Sequence, residues 1–257
     1  EAALPSVARS IADPTTTWDV NVRGTLNVLL AARDAGVQKV VFASSSSVYG
    51  DSPTLPKHEE MPVAPKSPYA ASKVAGEALC RSFAESYGLE TICLRYFNVY
   101  GPRQSLSNPY TGVAAIFLSR LKNDKAPIVY EDGLQSRDFI SVHDVVRATV
   151  MVMEKKEADY NVFNIGSGQP RTILEVAETL ATVLGKEHIR QQVTYKFRKG
   201  DVRHCFADIS KVKKTLGFTP RVDFTQGMEE LIAWSKTESA EDRFDHATQE
   251  LVQKGLL

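Results

Sequence analysis

The chain has little cysteine, no net charge and no long apolar run. Its three cysteines, Cys80, Cys93 and Cys205, are scattered and odd in number, which fits reduced thiols better than a disulfide framework. Acidic and basic residues balance at 31 each. No basic stripe results, so a nucleic-acid partner is not expected. Nothing approaches the roughly 18 consecutive apolar residues of a membrane span, and the first residues do not read as a charged-then-apolar leader; a cytoplasmic protein without a membrane partner is the expectation. None of the five histidines stands at zinc spacing from another His, Cys or carboxylate, so no metal is expected. There is also no Gly-x-x-Gly-x-x-Gly, the glycine-rich turn that cradles phosphates at a helix start. Gly166-Ser167-Gly168 lacks the third glycine and reads as an ordinary turn.

What is present is a globular composition, 257 residues with 43% hydrophobic and 24% charged, enough for a substantial core. The first ten residues read as the mouth of a finished strand. Apolar residues at helical spacing (Val20, Leu26, Leu29, Leu30, Ala31) predict one helix from Pro14 to Ala35, stopped by Gly36. Lys39 to Ala43 is a short apolar run, read as a buried parallel strand. A loop with five prolines follows, Gly50 to Pro68, then a helix to Tyr87 and a strand from Glu90 to Tyr96. Helix alternating with strand indicates a parallel α/β sheet. Beyond Gly101 the pattern loosens. Helices are expected at 112–123, 143–154, 173–185, 209–216 and 225–236, and strands near 128–130, 138–142, 162–165 and 192–195. The tail from Glu238 reads as charged, helical and mobile.

The chemistry concentrates in Ser44-Ser45-Ser46-Ser47-Val48-Tyr49-Gly50 and in Ser67-Pro68-Tyr69-Ala70-Ala71-Ser72-Lys73. A free tyrosine, pKa about 10, is a poor base at neutral pH. A lysine at i+4 lies on the same helical face, and its ammonium favours the phenolate. Lys73 is so placed for Tyr69. A hydroxyl from the serine run, at the carboxyl end of the neighbouring strand, would share the transferred proton, and ligands of open α/β sheets collect at that edge. Tyr-x-x-x-Lys alone is weak: Tyr195 and Lys199 match it too, and that second match reads as chance. The order of segments carries the weight: strand, serines, proline-rich loop, Ser-Pro-Tyr helix start, strand, Arg-Tyr-Phe-Asn.

With that order the chain resembles the extended short-chain dehydrogenase/reductases of the NAD-dependent nucleotide-sugar epimerase/dehydratase type. The marks are Ala2 to Val7, Asn21 to Thr25, Ser44 to Gly50, Ser67 to Lys73, Leu94 to Asn98, Ser136 to Phe139, Asn164-Ile165-Gly166 and Gly200-Asp201. The resemblance implies a doubly wound parallel (Rossmann-type) sheet with a smaller C-terminal α+β substrate lobe. It divides the chain into the carboxyl part of an NAD-binding domain at 1–105, a UDP-sugar lobe at 106–237 interleaved with the last strands, and a tail at 238–257. It implies Ser45, Tyr69 and Lys73 as catalytic residues, and Ala2, Asn21, Ser44, Tyr69, Lys73 and Tyr96 at NAD. Ser46, Phe97, Asn98, Arg137, Arg198, Asp201 and Cys205 fall at the UDP-sugar. The arginines would grip the diphosphate, where a planar fork suits paired oxygens. Bland readings stand beside these: Asn21 satisfying buried backbone, the arginines in ion pairs, Cys205 as core filler.

The resemblance implies 4-epimerisation through a transient 4-keto sugar. Neutral Ser46 and Ser47 stand where the dehydratase branch carries Asp-Glu, which favours simple epimerisation; a UDP-glucuronate epimerase and the dehydratase/decarboxylase branches are the alternatives. Cys205 is small, leaving room for a C2 N-acetyl group, so UDP-GlcNAc and UDP-GalNAc join UDP-glucose and UDP-galactose as expected substrates. Family members begin with the glycine-rich turn this chain lacks, so an N-terminally truncated domain is expected. A second reading, of another class, is a non-catalytic fragment that binds UDP-sugar or a partner through an exposed sheet edge. Helices matching 14–35 and 69–87 pair with their copies in such enzymes, implying a homodimer.

Overall fold

A computed structural model describes residues 1–198, 200–253 and 255. Two short helices come first, Val7–Ala12 (α1) and Pro14–Trp18 (α2), capped by Ser6 and Asp13, whose side chains accept amide protons left over by the first turn. Residues 1–6, read as the mouth of a finished strand, carry no strand of their own, and the Ser6 cap opens α1 directly after them. α2 runs through a π-helical turn at Asp19–Arg23 into Gly24–Asp34 (α3). The single helix expected from Pro14 to Ala35 is thus present with one widened turn.

Lys39–Ser45 (β1) leads through a 3-10 turn at Ser46–Tyr49 and the proline-rich loop to Pro68–Tyr87 (α4). Ser67 caps α4 by accepting from Ala70 N, Pro68 opens it, and left-handed Gly88 closes it, which is the usual distribution of those residue types. Glu90–Tyr96 (β2) and Asn98–Tyr100 (β3) follow. Then come Val113–Lys122 (α5), Ile128–Val129 (β4), Ser136–Ser141 (β5), Val142–Glu154 (α6) and Val162–Ile165 (β6). The carboxyl third contains Pro170–Thr172 (β7), Ile173–Leu184 (α7), Gln192–Val193 (β8), His204–Cys205 (β9), Ser210–Leu216 (α8), Phe224–Ser235 (α9) and Phe244–Gln253 (α10).

The principal sheet is parallel, in the order β1-β2-β6, with Ser44 level with Arg95 and Ser45 with Tyr96. Alternation along β2 sends Ile92 and Leu94 to one face, among Val145, Ala148 and Val152 of α6 and Val212 and Leu216 of α8. Cys93 goes to the other, with Leu29 and Ala32 of α3 and Cys80 and Phe83 of α4. Helices cover both faces, as a doubly wound sheet requires. Ile92 and Leu94 are fully buried, worth about 1.5–3 kcal/mol each.

A second assembly joins β3, β5, β7 and β9 and packs against the largest apolar cluster, formed by α5, α7 and α9. Asp138 pins the two assemblies together. Wholly buried, it accepts from Ser167 N and Oγ (both 2.6 Å), Gly168 N (2.9 Å) and Ala207 N (3.1 Å). The amides of the Gly166–Gly168 turn thus serve Asp138, and that turn is structural.

One contact fixes the seat of α4. Gly76 faces the Phe42 ring of β1 so closely that a Cβ there would overlap the ring. The helix can approach the strand only because residue 76 has no side chain.

Candidate active site

β1 ends at Ser45 and α4 begins at Pro68, so strand end and helix start bring Ser45 and Tyr69 together across the proline-rich loop. The Ser45 hydroxyl stands beside the Tyr69 phenol, near enough to favour the phenolate, and accepts from Ser47 N at 3.2 Å. Burial holds the phenol above the ordinary tyrosine value, and the Ser45 hydroxyl works against that shift. Lys73 lies one turn on, 6% exposed, its Nζ 5.9 Å from the Tyr69 ring centroid and 5.1 Å from that of Phe42. Its ammonium donates to Ala43 O at 2.7 Å. Burial lowers its pKa, opposed by the Glu1 carboxylate. One sequence expectation changes here. The i+4 spacing does put Lys73 on the Tyr69 face, but a strand carbonyl captures the ammonium, and burial governs the phenol.

Ser44 is turned the other way. It is 3% exposed and donates to Glu77 Oε1 at 2.5 Å. Glu77 is held in a fork by Arg95, with Nε 2.9 Å from Oε1 and Nη2 2.8 Å from Oε2. The guanidinium also lies 4.8 Å over the Tyr49 ring, and Tyr49 donates to Asn164 Oδ1 at 2.6 Å. Asn164 in turn donates to Lys57 O and Asp208 O. This buried polar chain fixes the strand ends beneath the serines. Burial pushes the Tyr49 phenol up to about 12.

Asn21, inside the π turn, accepts from Leu4 N at 2.8 Å and donates to Ser72 Oγ at 3.0 Å. Ser72 then donates to Tyr69 O at 2.7 Å. Asn21 thereby satisfies buried backbone and ties the amino-terminal segment to the turn of α4 that carries Tyr69. Ala2 stands exposed ahead of that tie. Tyr96 shares a 2.9 Å hydrogen bond with Thr149 Oγ1 and donates toward Glu1 at 3.3 Å.

A cavity of about 250 Å³ gathers Ser45, Ser46, Ser47, Tyr69, Tyr96, Phe97, Asn98, Arg137, Asp201 and Cys205. Cys205 is buried beside Phe97 and Tyr49, and burial raises its thiol pKa. A second cavity, about 300 Å³, adjoins the first and includes Arg198. Pro5, Val7, Asn98, Arg137 and Asp201 line both, so the two form one cleft. Arg137 donates to Ser136 O and Arg203 O, both at 2.9 Å, and to Val202 O at 2.5 Å; burial lowers its pKa. Arg198 grips Asp201 Oδ2 through Nε (2.9 Å) and Nη2 (2.7 Å), its guanidinium 4.9 Å over the Tyr130 ring.

Sequence reasoning missed the residues that wall the second cavity: Tyr110, Tyr130, Phe244 and Ala247. The helical spacing of Phe244 and Ala247 in the charged tail was the available signal. The tail is docked where a mobile segment was expected: Phe244 and Ala247 are buried, and Asp242 and Asp245 pair with Arg120. Of the second Tyr-x-x-x-Lys match, Tyr195 is 71% exposed, and Lys199 lies outside the described residues. Among the described residues no group of His, Cys, Asp and Glu could hold a metal, and no helix is long and apolar enough to cross a membrane. The three cysteines are buried and unpaired.

Hydroxyl, phenol and ammonium gather at the carboxyl edge of a doubly wound α/β sheet. Residues 1–166 match the NAD dependent epimerase/dehydratase family. The UDP-glucuronate 4-epimerase of Thermodesulfobacterium geofontis is 37% identical over 238 residues, 91% of this chain and 71% of that one. The UDP-glucose 4-epimerase of Mycolicibacterium smegmatis is 37% identical over 239 residues, 93% and 75% respectively. A UDP-N-acetylglucosamine 4-epimerase from Methanobrevibacter ruminantium, solved with UDP-N-acetylmuramic acid, superposes with a TM-score of 0.88 at 38% identity, covering 93% of this chain and 76% of that one. The chain belongs to the NAD dependent epimerase/dehydratase family. The donor set at β1 and α4 fits the nicotinamide end of that cofactor: a buried ammonium one turn from a phenol suits a ribose hydroxyl beside a reacting carbinol.

Proposed function

We propose that this chain carries the proton-transfer and sugar-holding machinery of UDP-hexose 4-epimerisation. The single observation that carries the reading is the continuous cleft, running from the Ser45–Tyr69 pair to Arg137, Arg198 and Asp201. That layout suits a ligand with a sugar at one end and a diphosphate further along.

In this reading the sugar 4-hydroxyl sits between Ser45 and Tyr69. Tyr69 as phenolate takes its proton, and Ser45 shares the hydrogen bond. Lys73, Asn21, Ala2, Tyr96 and the backbone at Ser44 hold NAD, which supplies the hydride acceptor and donor for C4. The resulting 4-keto sugar turns within the cleft so that C4 would take its hydride back on the opposite face, and Tyr69 returns the proton to the 4-oxygen. In this reading Lys73, its Nζ 5.9 Å from the Tyr69 ring centroid, adds positive charge near a phenol that burial raises. Ser46, Phe97 and Asn98 wall the sugar, while Arg137, Arg198 and Asp201 take the diphosphate and its ribose.

Cys205 faces the sugar end with a small side chain, which supports acceptance of UDP-GlcNAc and UDP-GalNAc beside the plain hexoses. A coupled assay with added NAD on UDP-glucose, UDP-GlcNAc and UDP-glucuronate tests this. Turnover of the first two is expected; turnover of UDP-glucose alone removes the Cys205 argument, and turnover of UDP-glucuronate alone assigns the other branch. Tyr69→Phe should lower kcat by about 10²–10⁴-fold with UDP affinity retained. Residues 1–105, 106–237 and 238–257 serve as cofactor part, sugar lobe and tail. Trp18, Val28 and Tyr87 are about half exposed along α2, α3 and α4, which supports a homodimer through these helices; a monomer by light scattering at micromolar concentration would reject it.

A further inference from the structure

α10 spans the nucleotide end of the cleft, and its two ends are held differently. Phe244, Ala247 and Thr248 stand at i, i+3 and i+4, one helical face, and all three line the cavity that also holds Arg198 and Asp201. At the start of the helix Arg120, 6% exposed, pairs with Asp242 (3.3 Å) and Asp245 (2.8 Å) and lies 4.9 Å over the Phe244 ring. Lys125 joins the same two carboxylates. Phe244 and Tyr130 face each other with centroids 6.4 Å apart. Near the far end the link is lighter: Tyr110 donates to Glu250 Oε2 at 2.8 Å, and its ring lies 4.6 Å beneath the Arg9 guanidinium of α1. Tyr110 borders both this cavity and the adjoining one under α1.

We propose that α10 is a hinged wall for the nucleoside, fixed at the Arg120 anchor and released at the Tyr110–Glu250 latch, with Phe244, Ala247 and Thr248 as nucleoside-contacting residues. This rests on the proposed function, in which the cleft takes a nucleoside diphosphate sugar. The anchor joins several charges across two elements, while one hydrogen bond from Tyr110 closes the latch. Opening therefore happens at the Glu250 end. The nucleoside enters there and is then covered by the apolar face of α10.

UDP is the probe, with the full chain. Ala247→Trp fills the cavity and should weaken UDP binding by about tenfold or more in titration calorimetry. Tyr110→Phe keeps the ring and loses the latch; by stopped flow it should raise association and dissociation rates together, with Kd within about threefold. On the unmodified protein, UDP should slow amide exchange over residues 244–250. If UDP binds but leaves that exchange unchanged, the wall is overturned while the nucleotide reading stands. Equal UDP affinity in a folded Ala247→Trp overturns the wall in the same way. If the folded, unmodified protein binds no UDP at millimolar concentration, the nucleotide reading falls and takes the wall with it.

Discussion

The two ends of the cleft handle charge in opposite ways. At the β1–α4 end, Tyr69 and Ser45 stand side by side, and Lys73 is held by a single strand carbonyl. Burial sets the protonation there, raising the phenol and lowering the ammonium. At the Arg137–Arg198 end the cations already have partners: Arg137 has three carbonyls and Arg198 has Asp201. A group that must change its proton count is poised by desolvation. Asp201 holds Arg198 in its charged form against burial, whereas Arg137, with carbonyl acceptors alone, is lowered by burial.

The sharpest way to break this contrast is to remove the support under the Ser45–Tyr69 end. Glu77→Ala strips Arg95 of its forked partner and Ser44 of its acceptor, in a pair whose side chains are 5% and 11% exposed. An unpaired buried guanidinium should cost about 3–5 kcal/mol, read as a lower denaturant midpoint. Second is a pH scan. Tyr49 sits at about 12 when folded and near 10 unfolded. Between those values the unfolded chain has released a proton that the folded chain retains, so stability is lost as pH rises. The Tyr49 share of the loss reaches about 2–3 kcal/mol by pH 12, and Tyr49→Phe should remove that share while Tyr96, Tyr100 and Tyr110, also raised by burial, keep theirs. Third, Arg137→Ala leaves three carbonyls short of a donor and should cost about 1–3 kcal/mol besides weakening UDP binding. Smallest is Arg198→Ala, whose ion pair is 38% and 23% exposed. It should change stability by under about 1 kcal/mol yet still weaken UDP binding. Equal stability losses for the two arginines would erase the distinction drawn between them.

The long elements were legible because their signals are local. The strand at Glu90–Tyr96 and the helix to Tyr87 stand where the apolar runs, Pro68 and Gly88 put them. The π turn at Asp19–Arg23 was not, because one widened turn barely shifts an apolar period. β7 and β9 are three and two residues long, too short to show alternation. Tyr69 and Lys73 stood out by spacing, Ser45 was picked from the serine run by the resemblance, and the fold places the three near one another. Their electrostatics were not readable: Ala43 O, which takes the Lys73 ammonium, is an unremarked backbone atom thirty positions earlier. Ser44 and Ser45 are neighbours in sequence, but the pleat sends one to Glu77 and the other to Tyr69.

The bare Cα of Gly76 has a consequence for how relatives of this chain can vary. Since α4 rests on Phe42 at that point, the gap between a phenol on the helix and a hydroxyl on the strand is gauged two turns from the phenol and three strand residues from the hydroxyl. Gly76→Ala would leave Ser45, Tyr69 and Lys73 all in place as letters. It would also lever the helix outward, and misplacement by about 1 Å can cost a hundredfold in rate. A homologue can therefore keep the whole signature and have lost the activity, and residue 76 is where that loss would be written.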